Sequence, residues 1–340
     1  MFVVRPVRTS DIDALKECAE KVGMGMTHLP DQKDILSKKI DNSIKSFAHK
    51  GPTTGKEEYI FVLEDLASTR VCGTCAVYAS TGSNDPFYFF SIIEMDPLPS
   101  PMQRPTEKRL LKLESYQGGP SEIGALFVLP EFRKGGVGKL LSYSRFLFIA
   151  AFPTHFQKQV LANLRGRFNG DGAVFWNGVG RHFVDYDFVT ASTMQTRLPG
   201  VAQTIFPSYP IPISFLLPEV QQVIGKVCPE SEPAFVLLLK QGFHYINQID
   251  PFDGGPLVQS DVDKIPIIAQ CQERVIREIM PSSEVGNFVD LKIICNKKLD
   301  FRVCYGQIKE LDSKYVAITE TTATALDVGV ADIVKYVGSS

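Results

Sequence analysis

Ser121-Glu122-Ile123-Gly124-Ala125-Leu126-Phe127-Val128-Leu129-Pro130-Glu131-Phe132-Arg133-Lys134-Gly135-Gly136-Val137-Gly138-Lys139-Leu140-Leu141 is the stretch that decides how this chain folds. Residues 121–129 are rich in β-prone apolar side chains and stop at Pro130, which reads as a strand. The loop at 133–138 has the form Arg-x-x-Gly-x-Gly and opens a strongly apolar helix over 139–152. Adjacent glycines let the backbone approach a ligand without Cβ clashes. Free N–H groups at a helix start, with the positive end of the macrodipole, suit a phosphate. Arg133 and Lys134 add charge. A Walker A loop would need glycine five residues before Gly138, where Arg133 stands, and a full dinucleotide fingerprint from Gly136 would need glycine at Leu141.

Upstream, residues 2–7 read as a strand, and Ser10 with Asp13 offers a capping box for a helix carrying Ile12, Leu15, Ala19 and Val22 on one face. A second helix is expected over 31–47, followed by a hairpin of Glu58–Asp65 and Arg70–Tyr78. Residues 80–120, with six prolines, read as irregular. Downstream come a strand over 159–164, a helix over 174–183, Pro-rich loops over 190–218 and two short helices near 219–226 and 233–241. Phe252-Asp253-Gly254-Gly255-Pro256 makes a breaker-rich boundary. Short strands with polar turns follow over 291–295, 300–305, 315–319 and 328–337. The elements read as a mixed α and β plan in residues 1–255 and a small β-rich domain in 256–340.

The 340 residues carry 36 Lys plus Arg against 38 Asp plus Glu, a net charge of −2, so no global basic field draws in nucleic acid. No apolar run approaches the roughly 20 residues of a membrane span, and the N-terminus lacks the pattern of a signal peptide. The expected location is the cytoplasm. The odd count of seven cysteines then reads as free thiols. Cys72 and Cys75 lie three apart in a strand pattern and so point to opposite faces. The histidines are scattered, so no metal site is expected.

The stretch from Leu126 to Leu141 resembles the acyl-CoA loop of the GNAT superfamily of N-acyltransferases. A narrower set of segments, in chain order, is similar to the arginine N-succinyltransferases. It runs Met26-Thr27-His28-Leu29-Pro30, Phe61-Val62-Leu63-Glu64-Asp65, Asn84-Asp85-Pro86-Phe87-Tyr88, Ser142-x-Ser144-Arg145-Phe146, Phe175-Trp176, Pro210-Ile211 and Phe252-Asp253-Gly254-Gly255-Pro256. This resemblance covers nearly all of residues 1–260 and weakens beyond.

The resemblance implies transfer of the succinyl group of succinyl-CoA to the α-amine of arginine, with acyl-CoA as co-substrate and no permanently bound cofactor. It also implies an α+β fold, a mixed, largely antiparallel sheet flanked by helices, in which the strand before the glycine loop splays from the next one to admit pantetheine. The pattern over 318–334 is similar to a unit of double-psi β-barrels, which makes the C-terminal domain barrel-like. On the family likeness Arg133, Lys134, Gly135, Gly136 and Gly138 hold the pyrophosphate. The backbone at Leu126, Phe127 and Val128 meets the acyl arm, with the amide near Leu126 bonding the thioester carbonyl. Chemistry needs a base for the ammonium and an acid for the leaving thiolate. Glu122 is the candidate base. Family members carry His-Pro where this chain has Cys228-Pro229, which makes Cys228 the candidate acid; Gln117 also replaces a usual His. Asp85 and Asp253 are candidates for the guanidinium, which calls for carboxylates. An acyltransferase for another amine or acyl-CoA, and a non-catalytic CoA-binding subunit, remain open alternatives. So do homo- and hetero-oligomers.

Overall fold

A computed structural model describes residues 1–23, 25–49, 51–95, 108–198, 200–281 and 291–338. The first part of the chain forms β1 (Phe2–Pro6), α1 (Ile12–Val22), α2 (Lys33–Ala48), β2 (Glu58–Asp65), β3 (Arg70–Tyr78), β4 (Phe87–Met95), β5 (Lys108–Tyr116), β6 (Ser121–Val128), α3 (Val137–Ala151) and β7 (Gln159–Asn163). Then come β8 (Phe168–Asn169), β9 (Gly172–Ala173), α4 (Val174–Gly178), α5 (Phe188–Arg197), α6 (Val201–Ile205), β10 (Ile211–Pro212), α7 (Pro218–Val223), α8 (Glu232–Lys240), β11 (His244–Ile249) and β12 (Pro256–Asp261). The last part holds α9 (Pro266–Ala269), β13 (Gln272–Met280), β14 (Leu291–Asn296), β15 (Val303–Glu310), β16 (Tyr315–Thr319), α10 (Glu320–Leu326) and β17 (Ile333–Gly338).

One sheet runs β10-β5-β4-β11-β12-β7-β6-β3-β2-β1-β15-β14-β17-β13-β16, and a further β15–β16 pairing closes its last five strands into a ring. The expected α+β class, a mixed sheet flanked by helices with a barrel-like C-terminal part, is the observed one. The division expected at 255/256 falls within this order: β12 lies between β11 and β7, and the ring takes its first strand at Gln272. The two parts share more than a linker, because β1 pairs antiparallel with β15.

Residues 80–120 are not irregular. Phe87–Met95 and Lys108–Tyr116 pair along their whole length, Phe87 with Tyr116 through Met95 with Lys108. The aromatic and branched residues of Phe87–Ile93 favour a pleated, half-buried surface, and the prolines of 97–105 lie outside the described residues. The Ser10–Asp13 box is replaced by an inward turn of Asp11. Its carboxylate takes Arg5 Nη1 at 2.7 Å and Nη2 at 3.0 Å, a buried bidentate pair that outweighs an exposed cap.

The main core wraps α3, whose Phe148 meets Phe61 of β2 at 5.1 Å and Phe301 of the ring at 5.0 Å, centroid to centroid. Each such ring buried contributes roughly 1.5–3 kcal/mol, so the two parts of the chain are stabilised by one core. A second core forms under β4 and β5, where Trp176 stacks on Phe252 at 5.4 Å. The Asp253-Gly254-Gly255 turn sits against the end of β7. A Cβ on Gly255 would meet Leu164 O at 1.9 Å, which is why a glycine stands there.

Candidate active site

β6 and β7 are parallel neighbours whose partners are Ser121–Val160 and Glu122–Leu161. Beyond Glu122, β6 continues on β3 while β7 pairs with β12, so the two strands part. The register of β6 on β3 shifts between Gly124 and Phe127, and Ala125 adopts φ 51°. Strain of this kind, of order 1 kcal/mol or more, concentrates at functional sites. Ala125 and Leu126 thus stand out of the ladder at the mouth of the splay.

Three cavities join there. The outer groove is lined by Leu126, Phe127, Val128, Arg133, Lys134, Gly136 and Gly138, facing Ser231 and Glu230. Gly135 and Gly136 take φ 62° and 76°, which L side chains rarely adopt. Nothing lies within 4 Å of a Cβ placed on Gly135 or Gly138, so the loop is open to a ligand. Arg133 is set by Nε, which donates to Val128 O at 2.9 Å, and by stacking over the Phe127 ring. Tyr305 of the ring donates its hydroxyl to Gly136 O at 3.1 Å.

The inner cavity, about 90 Å³, fills the splay and shares Met26, Leu126 and Arg165 with the groove. The third, about 410 Å³, shares His28, Asn163 and Phe252 with the inner cavity and carries Glu122, Tyr78 and Asp85. The site is therefore continuous from the glycine loop, through the splay, to a polar chamber.

Glu122 is buried, and its Oε1 lies 2.9 Å from His28 Nε2. The His28 ring packs on Tyr78 at 4.8 Å, and burial pushes the Tyr78 hydroxyl well above its ordinary pKa. Asp85 is exposed at the chamber rim. Asp253 lines the inner cavity, but its Oδ1 accepts from Gly255 N at 2.8 Å, so the carboxylate caps its own loop. Burial and the neighbouring Asp250 push its pKa up to about 8. Cys228 is buried behind Ser231, to whose Oγ its thiol donates at 3.1 Å, and Ser231 lines both groove and inner cavity. Gln117 is exposed on the turn between β5 and β6.

The structure thus brings Glu122, Leu126 and the glycine loop into one continuous site, with Cys228 one hydroxyl away. The reading from residue types missed His28 and Ser231. His28 sat in a segment already singled out, and its partner lies 94 residues away, so no local spacing marks the pair. All seven cysteines are free thiols. Among the described residues, no group of His, Cys, Asp and Glu could hold a metal ion. No described helix is long and apolar enough to cross a membrane.

A profile of the family described as "Arginine N-succinyltransferase beta subunit" matches residues 2–267. Arginine N-succinyltransferases of Escherichia coli and Shigella flexneri are 34% identical over 339 residues, 99% of this chain and 97% of theirs. The crystallised arginine/ornithine succinyltransferase subunit AI of Pseudomonas aeruginosa is 29% identical, with TM-score 0.90 over 100% of this chain and 99% of that one.

Proposed function

The chain belongs to the arginine N-succinyltransferase family, and from that premise we propose that it transfers the succinyl group of succinyl-CoA to the α-amine of L-arginine by direct attack. It is an acyl-CoA-dependent N-acyltransferase. The observation that carries the finer reading is the continuity of groove, splay and chamber, with the Glu122–His28 pair where they meet.

In this reading the pyrophosphate lies on the amides of Gly135, Gly136 and Gly138, with Arg133 and Lys134 beside it. The thioester carbonyl meets the Leu126 amide. Arginine enters the chamber with its guanidinium toward Asp85. His28 takes the ammonium proton and passes it to Glu122. The amine lone pair then forms the C–N bond while the carbonyl π pair moves onto oxygen, giving a tetrahedral intermediate. The Leu126 N–H stabilises that oxyanion, typically by about 3 kcal/mol. The nitrogen, cationic once bonded, gives its second proton to the emptied His28, and collapse then restores the carbonyl and breaks the C–S bond. The departing thiolate takes a proton from Ser231, which is recharged by the Cys228 thiol that donates to it. Before the next turnover solvent removes the protons held by Glu122 and His28 and returns one to Cys228, a net release of one proton per amide formed.

The test is release of free CoA thiol by the purified chain with succinyl-CoA or acetyl-CoA against arginine, ornithine, lysine and glutamate, with mass detection of product. Succinylated arginine is expected. Turnover restricted to another donor or amine would move the substrate while keeping the chemistry. Binding without any turnover would sink the reading for the isolated chain.

A further inference from the structure

Arg145 lies in the middle of α3 and is 3% exposed. Its Nε donates to Ser142 O at 3.1 Å and its Nη2 to Ser142 Oγ at 2.8 Å, both on its own helix. Nη1 has no hydrogen-bond partner, and the guanidinium has no carboxylate in ion-pair range, among the described residues. Burial pulls its pKa down to about 10, and the group opposing that pull is the Cys75 thiol, itself held neutral by burial up to about 11. A guanidinium withdrawn from water without a counter-charge is unfavourable in a lone protein. It becomes favourable when a ligand brings the anion.

Arg145 lines the inner cavity, as Leu126 does. A thioester carbonyl at the Leu126 amide therefore sends the rest of its acyl chain into the compartment that holds the guanidinium. The cavity of about 90 Å³ admits a few heavy atoms, several waters' worth of space. We propose that Arg145 binds the distal carboxylate of the acyl group, and so selects a dicarboxylate-derived donor over a neutral acyl chain of equal length. This rests on the reading of succinyl-CoA as donor and names the group that recognises it. The acidic wall opposite does not oppose it fully, since burial holds Asp250 and Asp253 above the usual carboxylate range. Arg165 also lines this cavity, but its Nη1 is committed to Val22 O at 3.0 Å, and it acts on Asp253 and Glu230.

The experiment compares equilibrium binding of succinyl-CoA and butyryl-CoA, which differ in a terminal carboxylate against a methyl group. No amine or turnover is needed. The wild type is expected to prefer succinyl-CoA by roughly a hundredfold, as buried charged groups reject ligands that leave them unpaired. Arg145→Met is expected to erase that preference by weakening succinyl-CoA, with butyryl-CoA changed less than about threefold. Arg145→Gln, which keeps a donor toward Ser142, serves should the first variant melt early, and is expected to lose the preference likewise. Arg165→Met is expected to keep it. A wild type without preference, or a preference that survives substitution of Arg145, overturns the assignment. A wild type that succinylates arginine with an unaltered ratio in Arg145→Met sinks this subsite alone. A chain that shows the ratio but leaves arginine untouched sinks the amine assignment and keeps the subsite.

Discussion

His28 Nε2 stands 2.9 Å from Glu122 Oε1, where β6 and β7 part and the polar chamber meets the splay. Glu122→Gln preserves the shape and removes the charge that draws a proton off His28. It is expected to lower kcat by about 10²–10⁴, with acyl-CoA affinity unchanged, since neither residue lines the outer groove. Steady-state kinetics beside a CoA titration checks this. An unchanged kcat would remove the pair from the chemistry.

The buried thiol of Cys228 reaches the groove through Ser231. Ser231→Ala is expected to cost about a hundredfold in kcat, the low end for a lost proton donor. Cys228→Ser keeps a donor toward Ser231 and is expected to stay nearer the wild-type rate than Cys228→Ala. Rates ordered the other way, with Ser231→Ala harmless, would show the thiolate leaving unassisted.

Tyr305 ties the ring to the glycine loop through Gly136 O. Tyr305→Phe removes one hydrogen bond, worth about 1 kcal/mol, and is expected to weaken CoA binding by roughly fivefold. Gly136→Val combines a φ of 76° with a Cβ 2.9 Å from the Tyr305 hydroxyl. It is expected to abolish CoA binding and lower Tm, the left-handed backbone alone costing about 1–2 kcal/mol. Calorimetry and thermal melts read both.

Asp253 has its pKa raised to about 8 in the folded chain, by burial first and Asp250 second, against about 4 when unfolded. The folded state therefore binds more protons, and stability falls as pH rises from about 4 to about 8. Asp253→Asn is expected to flatten that part of the Tm–pH curve. A slope equal to wild type would remove Asp253 as its source.

The succession of strand, glycine loop and apolar helix from Ser121 to Phe152 was legible because local chemistry writes it. β-prone residues, a proline stop, glycines that accept left-handed φ and a helical run each act within a few positions. The paired strands at 87–95 and 108–116 were hidden by prolines, which mark breaks without saying how short they are. Asp253 was chosen for its motif, but the backbone of its own turn engages its carboxylate.

By itself the sequence determined the elements flanking the loop, the family and the kind of co-substrate the loop can hold. The tertiary structure alone decided that Glu122 meets His28, that Tyr305 of the ring reaches Gly136, and that Arg145 faces a cavity with no carboxylate in ion-pair range among the described residues. Backbone conformation follows from neighbours in sequence, whereas the charge a buried side chain feels depends on which distant elements pack against it.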